Sequence, residues 1–414
     1  MKFLLLFSII LCFVPISIGT PVGYISPVDV SVSLMAVYSF GVLLSRRGVV
    51  NGRDLRILII SSLSYLIIIV CTIVGGNSVD FGALFKYFVF LCIIPFSLMI
   101  AKAQYIRNVG RMPIESVIAI SGSFLSAFVV LQILRGQYAS NGPEEYYIYI
   151  AGNIVHKNYI GALLVFSSLS SLWCALQNKK IKYIPMYLLQ IMVTILIGNR
   201  SSFVVEIIFS FIILLRVRQN SRSIVIIICS VVFVFSAIFI IQLMGLFHAQ
   251  TERLLSLNEV GNGQMSSASA RLWLWSYAWD LIVQRPIFGY GFGNFLYIAP
   301  NWLNGREEPH NAILQILYAV GFTGAICIYG MIFWGLLPKR TNSYNARIFA
   351  LMVMANIVNA MVGIIWIRGE GHLFWMLFFI LAMGYFRKLD TSKNRTIGHL
   401  EEPNNWTPRK TAGA

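Results

Sequence analysis

The chain has 414 residues, of which 57% are hydrophobic and only 12% charged, with a formal net charge of +16 and a mean hydropathy of +0.74. No soluble globular domain has that balance, and long continuous apolar runs exclude a membrane β-barrel, whose strands alternate in short stretches. What fits is an all-α polytopic integral membrane protein, because a spanning helix satisfies every backbone group within itself.

In chain order the apolar runs predict twelve spans: 3–19, 28–45, 57–75, 83–101, 114–134, 159–176, 183–199, 202–215, 223–247, 311–337, 348–367 and 372–386. They form one transmembrane bundle over 1–386, followed by a polar cytoplasmic tail over 387–414. The first run has the length of a secretory leader but reads as a retained span. Lys86, in the fourth run, is expected to snorkel outward. The seventh and eighth runs are short for a ~30 Å hydrocarbon slab and are joined by a tight turn. Glu206, inside the eighth, pairs with an arginine or marks a transport path. The six cysteines all fall in apolar runs and read as small buried hydrophobes, not as a disulfide or metal framework.

Lys and Arg concentrate in alternate connections, among them Arg46, Arg47, Arg53 and Arg56, then Lys102, Arg107 and Arg111, then Lys179, Lys180 and Lys182. This asymmetry places both termini in the cytoplasm. It also accounts for the positive charge without a nucleic-acid partner.

The largest outside segment is 248–310. Within it a helix is predicted over about 270–284, lying in the outer interface. Leu272, Trp275, Trp279 and Ile282 share one face, and Ser276, Asp280 and Gln284 another. Pro286 and Gly289 end it. The following "GYGFGN" reads as a turn, since no strand precedes it.

With this topology every even-numbered span from the sixth onward starts at the outer face. Those starts carry His156, Lys157 and Asn158; Arg200; His310 and Asn311; Arg368 and His372. Arg271 opens the interfacial helix. A cation is the wrong partner for a helix N-terminus, so several on one side imply a bound anion, and phosphate is the group that helix starts and guanidinium groups share. Taken singly, each is more simply a lipid-headgroup anchor or a partner for Glu144, Glu145, Glu307, Glu308 or Glu370. His310 stands between a helix start, which favours its neutral form, and two glutamates, which favour the charged one. That is the poise of a general base. Asn311 orients a substrate or caps the helix. No metal-ligand spacing and no phosphate loop occurs, so neither metal nor cofactor is expected.

Four stretches, "HKN", "GNR", "SARLWLWSYAWDLIVQRPIFGYG" and "PHNAILQILYAVGFTGAI", follow one another in an order and spacing that resembles the O-antigen ligase family of bacterial membrane glycosyltransferases. The resemblance is specific over about 150–337. It implies a metal-independent enzyme of the inner membrane, acting on its periplasmic side. The donor would be an undecaprenyl-diphosphate-linked glycan. The acceptor would be lipid A-core for a ligase, or a lipid-linked repeat unit for a polymerase. Membrane lipids are the remaining partners. By the same resemblance Arg200 and Arg271 stabilise the departing diphosphate, and His310 deprotonates or orients the acceptor. Asn158, Lys157 and Arg368 assist, with Asn311 beside them. The stretch between Arg271 and His310 is shorter than the insert many ligases carry, so ligase and polymerase both stay open, with the ligase type preferred. The competing classes are a transporter of the same lipid-linked glycan and a non-catalytic scaffold.

Overall fold

The computed structural model describes residues 2–20, 23–45, 52–75, 81–105, 114–140, 146–150, 153–178, 182–216, 267–292, 309–336, 344–361 and 369–383, with isolated helical positions between 225 and 239. The predicted ninth span, Glu144, Glu145, Glu307, Glu308, Arg368 and the tail over 387–414 lie outside them or mostly so.

The chain begins with α1 (Lys2–Cys12), then a hairpin of β1 (Ile18–Thr20) and β2 (Gly23–Ile25), then α2 (Pro27–Leu44) and α3 (Gly52–Gly75). α4 (Phe81–Phe88) runs through one π turn, Val89–Ile93, into α5 (Ile94–Tyr105). α6 (Ile114–Leu134) leads to the antiparallel strands β3 (Tyr138–Ser140), β4 (Tyr146–Ile150) and β5 (Asn153–His156). α7 (Lys157–Asn178), α8 (Tyr183–Leu196) and α9 (Arg200–Arg216) follow. The last described helices are α10 (Ser267–Gln284), α11 (Ala312–Leu336), α12 (Tyr344–Ala360) and α13 (Gly369–Ala382). Among the described residues, six helices are long and apolar enough to cross a membrane: Pro27–Leu44, Gly52–Gly75, Phe81–Lys102, Ile114–Leu134, Lys157–Gln177 and Ala312–Leu336.

Two expectations change at once. The first run is helical only to Cys12, roughly 16 Å at 1.5 Å per residue. Pro15 has no amide to continue the helix, and the chain turns through β1–β2 instead. The protein is also not purely helical, because the connection before α7 folds as a sheet in which Ile148 pairs Val155 and Tyr147 pairs His156. The cysteines divide as well: Cys12, Cys71 and Cys174 are buried, Cys92 and Cys327 partly so, and Cys229 is exposed.

α7 forms the centre, packed by α6, α8, α9 and α12. Ser167, Ser168, Ser170 and Ser171 are all fully buried on it. Small side chains let helices approach where lipid offers no hydrophobic drive. The Ser171 hydroxyl donates to Gln190 Oε1 at 3.0 Å, and Gln190 Nε2 donates to the Ala119 carbonyl at 3.0 Å, which ties α6, α7 and α8. No arginine among the described residues pairs with Glu206. Its Oε1 accepts from Ser168 and Thr194, each at 3.2 Å, inside the α7–α8–α9 contact.

Lys86 does not snorkel. It is 7% exposed and pairs with Asp29 Oδ2, while Asp29 Oδ1 lies 2.9 Å from His372 Nε2. This knot joins the starts of α2 and α13 to α4. A second joins the opposite end of α13 to α3 and α5: Lys102 Nζ lies 2.8 Å from Asp54 Oδ2 and donates to the Met383 carbonyl, and Arg53 donates to the Ala382 carbonyl. Cations suit a helix C-terminus. Lys86→Met is expected to cost about 3–5 kcal/mol, because it removes the ammonium that pairs with a buried carboxylate, and adding Asp29→Asn to recover most of it. Thermal unfolding of the detergent-solubilised variants checks both.

α11 is not one rod. Gly321 has φ 61 and ψ −170 in its middle, and the Tyr329 hydroxyl donates to the Ala312 carbonyl at 3.1 Å. A straight helix would hold residues 312 and 329 about 26 Å apart, beyond the reach of any side chain. The arms on either side of Gly321 therefore fold back on each other. The turn after α10 meets the groups this frees. Tyr290 and Gly291 amides donate to the Tyr318 and Ala319 carbonyls at 2.9 and 2.8 Å, and the Phe322 and Thr323 amides donate to Pro286 and Ile287 at 2.7 and 3.3 Å. Arg285 donates to the Gly75 carbonyl at 2.6 Å, fastening the same turn to the end of α3.

Candidate functional site

The helix starts that the sequence singled out fall into two structural units, one around Lys157 and Arg200 and one around Arg271 and His310. β5 runs directly into α7, so His156 and Lys157 sit where strand becomes helix. The Tyr159 hydroxyl reaches the carbonyl of Cys12, the last residue of α1, at 3.2 Å. Lys157 is 5% exposed, and the Asn158 amide donates to His156 Nδ1 at 3.2 Å.

Arg200 is held beside this strand-to-helix junction by its neighbour. The turn between α8 and α9 passes through Gly198 at φ 63. Asn199 then caps α9, its Oδ1 accepting from the Ser202 amide at 3.2 Å and the Ser201 hydroxyl at 3.0 Å. The same side chain donates through Nδ2 to the Lys157 carbonyl at 3.3 Å. Gly161 makes room for it, since a Cβ there would stand 2.1 Å from Asn199 Nδ2. The "GNR" turn and the "HKN" start are thus one structural unit. Arg200 is the first residue of α9 and half-buried, and its Nε is buried with no hydrogen-bond partner among the described residues.

The second unit is α10 with α11. Trp275 Nε1 donates to the Pro309 carbonyl at 2.9 Å, and the turn after α10 bonds to the region around Gly321, so α10 runs beside the first arm of α11 in the same direction. Arg271 lies one turn before Trp275 on one edge of α10. His310 adopts φ 51, the left-handed region that few residues other than glycine enter. Asn311 caps α11, with Oδ1 accepting from the Ile313 and Leu314 amides at 3.0 and 3.1 Å. That is the capping use, so its carbonyl oxygen is engaged. Because Ala312 lies against Tyr329, His310 stands roughly 16 Å along the arm from Gly321. It is set below the level where the turn meets α3, not at a rim.

The predicted faces of α10 need correction. Its buried face is Leu274, Ala278, Leu281 and Ile282, while Leu272 is 63% and Trp279 50% exposed. The exposed apolar strip, continued by Val283, sits where a soluble helix would be polar, and a 3.6-residue pattern cannot tell lipid-facing from core-facing side chains.

Sequence reasoning missed Trp275 as a tether, Asn199 as the link between two helix starts, and the left-handed turn at His310. The first two signals were within "GNR" and "WLW" but need the partner strand or loop to be recognised. Among the described residues no three His, Cys, Asp or Glu side chains gather as a metal site would need.

Residues 185–329 match the sequence family described as O-antigen ligase. Three curated relatives carry names that call them candidate polysaccharide ligases. The protein of Rickettsia felis is 31% identical over 104 residues, 22% of this chain and 25% of the relative. That of Rickettsia conorii is 28% identical over 110 residues, 24% of this chain and 26% of the relative. That of Rickettsia prowazekii is 35% identical over 80 residues, 17% of this chain and 20% of the relative. The matched stretch therefore spans about a quarter or less of each relative.

Proposed function

We propose, from the match of residues 185–329 to the O-antigen ligase family, that the chain is a membrane glycosyltransferase of the ligase type. It moves an undecaprenyl-diphosphate-linked glycan onto an acceptor sugar hydroxyl in surface-polysaccharide synthesis. The observation that carries the reading is Arg200. A guanidinium placed at the first position of a helix opposes the macrodipole, and its buried Nε has no partner among the described residues. Both costs are relieved by an anion, and a diphosphate offers charge and acceptor oxygens together.

In this reading the acceptor oxygen attacks the anomeric carbon, the bond from that carbon to the phosphate oxygen breaks, and undecaprenyl diphosphate leaves with the electron pair. Arg200 and Arg271 meet the charge that develops on the leaving group. His310 takes or orients the acceptor proton, its backbone held by the Trp275–Pro309 tether on one side and the capped start of α11 on the other. Lys157 and Asn158 line the donor side, and Arg368, outside the described residues, is the remaining candidate to assist them. Asn311 serves by fixing the helix that His310 precedes.

Deletion of the gene, followed by electrophoresis of lipopolysaccharide, tests the reading. The expected result is bare core, with polymer retained on its lipid carrier. Core bearing a single repeat would make the protein a polymerase instead. An unchanged ladder would remove it from lipopolysaccharide assembly.

A further inference from the structure

α10 carries a stripe that the proposed chemistry does not use. Trp273, Tyr277, Asp280 and Gln284 recur at helical spacing along one side, away from both the buried face and the Arg271–Trp275 edge. The Trp273 and Tyr277 rings stack with centroids 5.4 Å apart and planes 10° apart, and both are half-buried. Asp280 and Gln284 are exposed. Beyond the helix the stripe continues: the Tyr290 hydroxyl donates to Gln284 Oε1 at 3.0 Å, the Arg285 guanidinium lies 4.6 Å from the Tyr290 ring centre, and Tyr290 stacks on Tyr318 at 6.0 Å. Burial, and then neighbouring Tyr290, push the Tyr277 phenol above its usual value, so it remains a neutral donor.

We propose that this stripe, from Trp273 to Tyr290, is a binding subsite for the saccharide chain, separate from the reacting atoms. A pyranose ring presents an apolar face of C–H bonds and a rim of hydroxyls. Aromatic faces carry the negative side of a quadrupole and accept the first; a carboxylate and an amide accept from the second. Two rings followed by planar polar groups and a further ring supply both. A lipid tail would leave Asp280 unsatisfied, and α10 already has a different strip for lipid in Leu272, Trp279 and Val283, all at least 50% exposed. From Trp273 to Gln284 the stripe runs roughly 16 Å, long enough for more than one sugar ring. It lies across the helix from Arg271, so it holds the chain and not the sugar that reacts.

The proposal rests on the glycosyltransferase reading, and the test separates the two. Full-length protein in nanodiscs of phosphatidylethanolamine and phosphatidylglycerol is mixed with the soluble oligosaccharide released by mild acid from the source cells' own lipid-linked glycan. Saturation-transfer NMR reads binding, and transfer is measured separately. Trp273→Ala and Tyr277→Ala are expected to weaken binding about tenfold each, equivalent to about 1.4 kcal/mol. Asp280→Asn and Gln284→Ala, at exposed positions, should weaken it in protein of unaltered thermal stability. Leu272→Ala and Trp279→Ala should leave it unchanged. Arg200→Ala should bind the oligosaccharide, which has no diphosphate, yet fail to transfer. No binding by the wild type, or undiminished binding in all four stripe variants, overturns the subsite. Equal loss in Leu272→Ala and Trp279→Ala overturns it too, marking α10 as a lipid-seating helix only. Normal transfer by Arg200→Ala would instead end the transferase reading and leave the binding result standing.

Discussion

Replacing Arg200 by alanine is expected to cut glycan transfer by roughly 10²–10³-fold, the usual loss when one preorganised donor to a developing charge is removed. The fold should survive, because α9 is capped by Asn199 and not by the arginine. Removing a cation from a helix start also relieves an unfavourable dipole contact. The variant should therefore be as stable as the parent, or slightly more so. Arg200→Lys should recover part of the rate, since it keeps the charge and loses the planar fork that grips two oxygens at once. Single-turnover transfer from a lipid-linked donor in proteoliposomes reads the effect. If Arg200 only anchors a lipid headgroup, turnover will be unchanged.

Gly321→Ala is expected to cost ~3 kcal/mol or more and to prevent accumulation of folded protein. Its φ and ψ lie in a region essentially closed to residues with a Cβ. A Cβ would also stand 2.4 Å from the Ile287 carbonyl oxygen and 2.7 Å from the Phe288 amide nitrogen. Neither atom can move without breaking the four backbone hydrogen bonds between the turn and α11. Gly289 and Gly75 meet at the same junction, where a Cβ on Gly75 would lie 2.2 Å from the Gly289 oxygen. Thermal aggregation monitored by fluorescence-detected chromatography measures the loss. Gly330→Ala is the control, because a Cβ there meets nothing within 4 Å. Equal stability in the two variants would mean that the break is dispensable.

The helices were legible in the sequence because apolar runs are a local property. Runs such as 57–75, 114–134 and 183–199 overlap α3, α6 and α8 closely. The short turn between α8 and α9 was legible as well, from "GNR" between two runs. What escaped were features set by distant partners. Lys86 looked like a boundary lysine until Asp29, far off in the chain, was found against it. The break in α11 lies in a uniformly apolar stretch, and the groups that satisfy it belong to the preceding turn. The strands before α7 were hidden for another reason. "YYIYI" alternates only weakly when both of its faces carry apolar or aromatic side chains. For the candidate site, residue types and their placement at helix starts were readable. Which starts adjoin was not, because that depends on side-chain bridges such as Asn199 to the Lys157 carbonyl.

The interrupted helix also bears on biogenesis. A backbone with four groups out of helical register is costly in lipid unless protein meets them. Residues 286–291, which meet them, leave the ribosome before Gly321 does. When the interrupted segment enters the bilayer its partners have already been synthesised, so the order of translation matches the order in which the hydrogen bonds are needed.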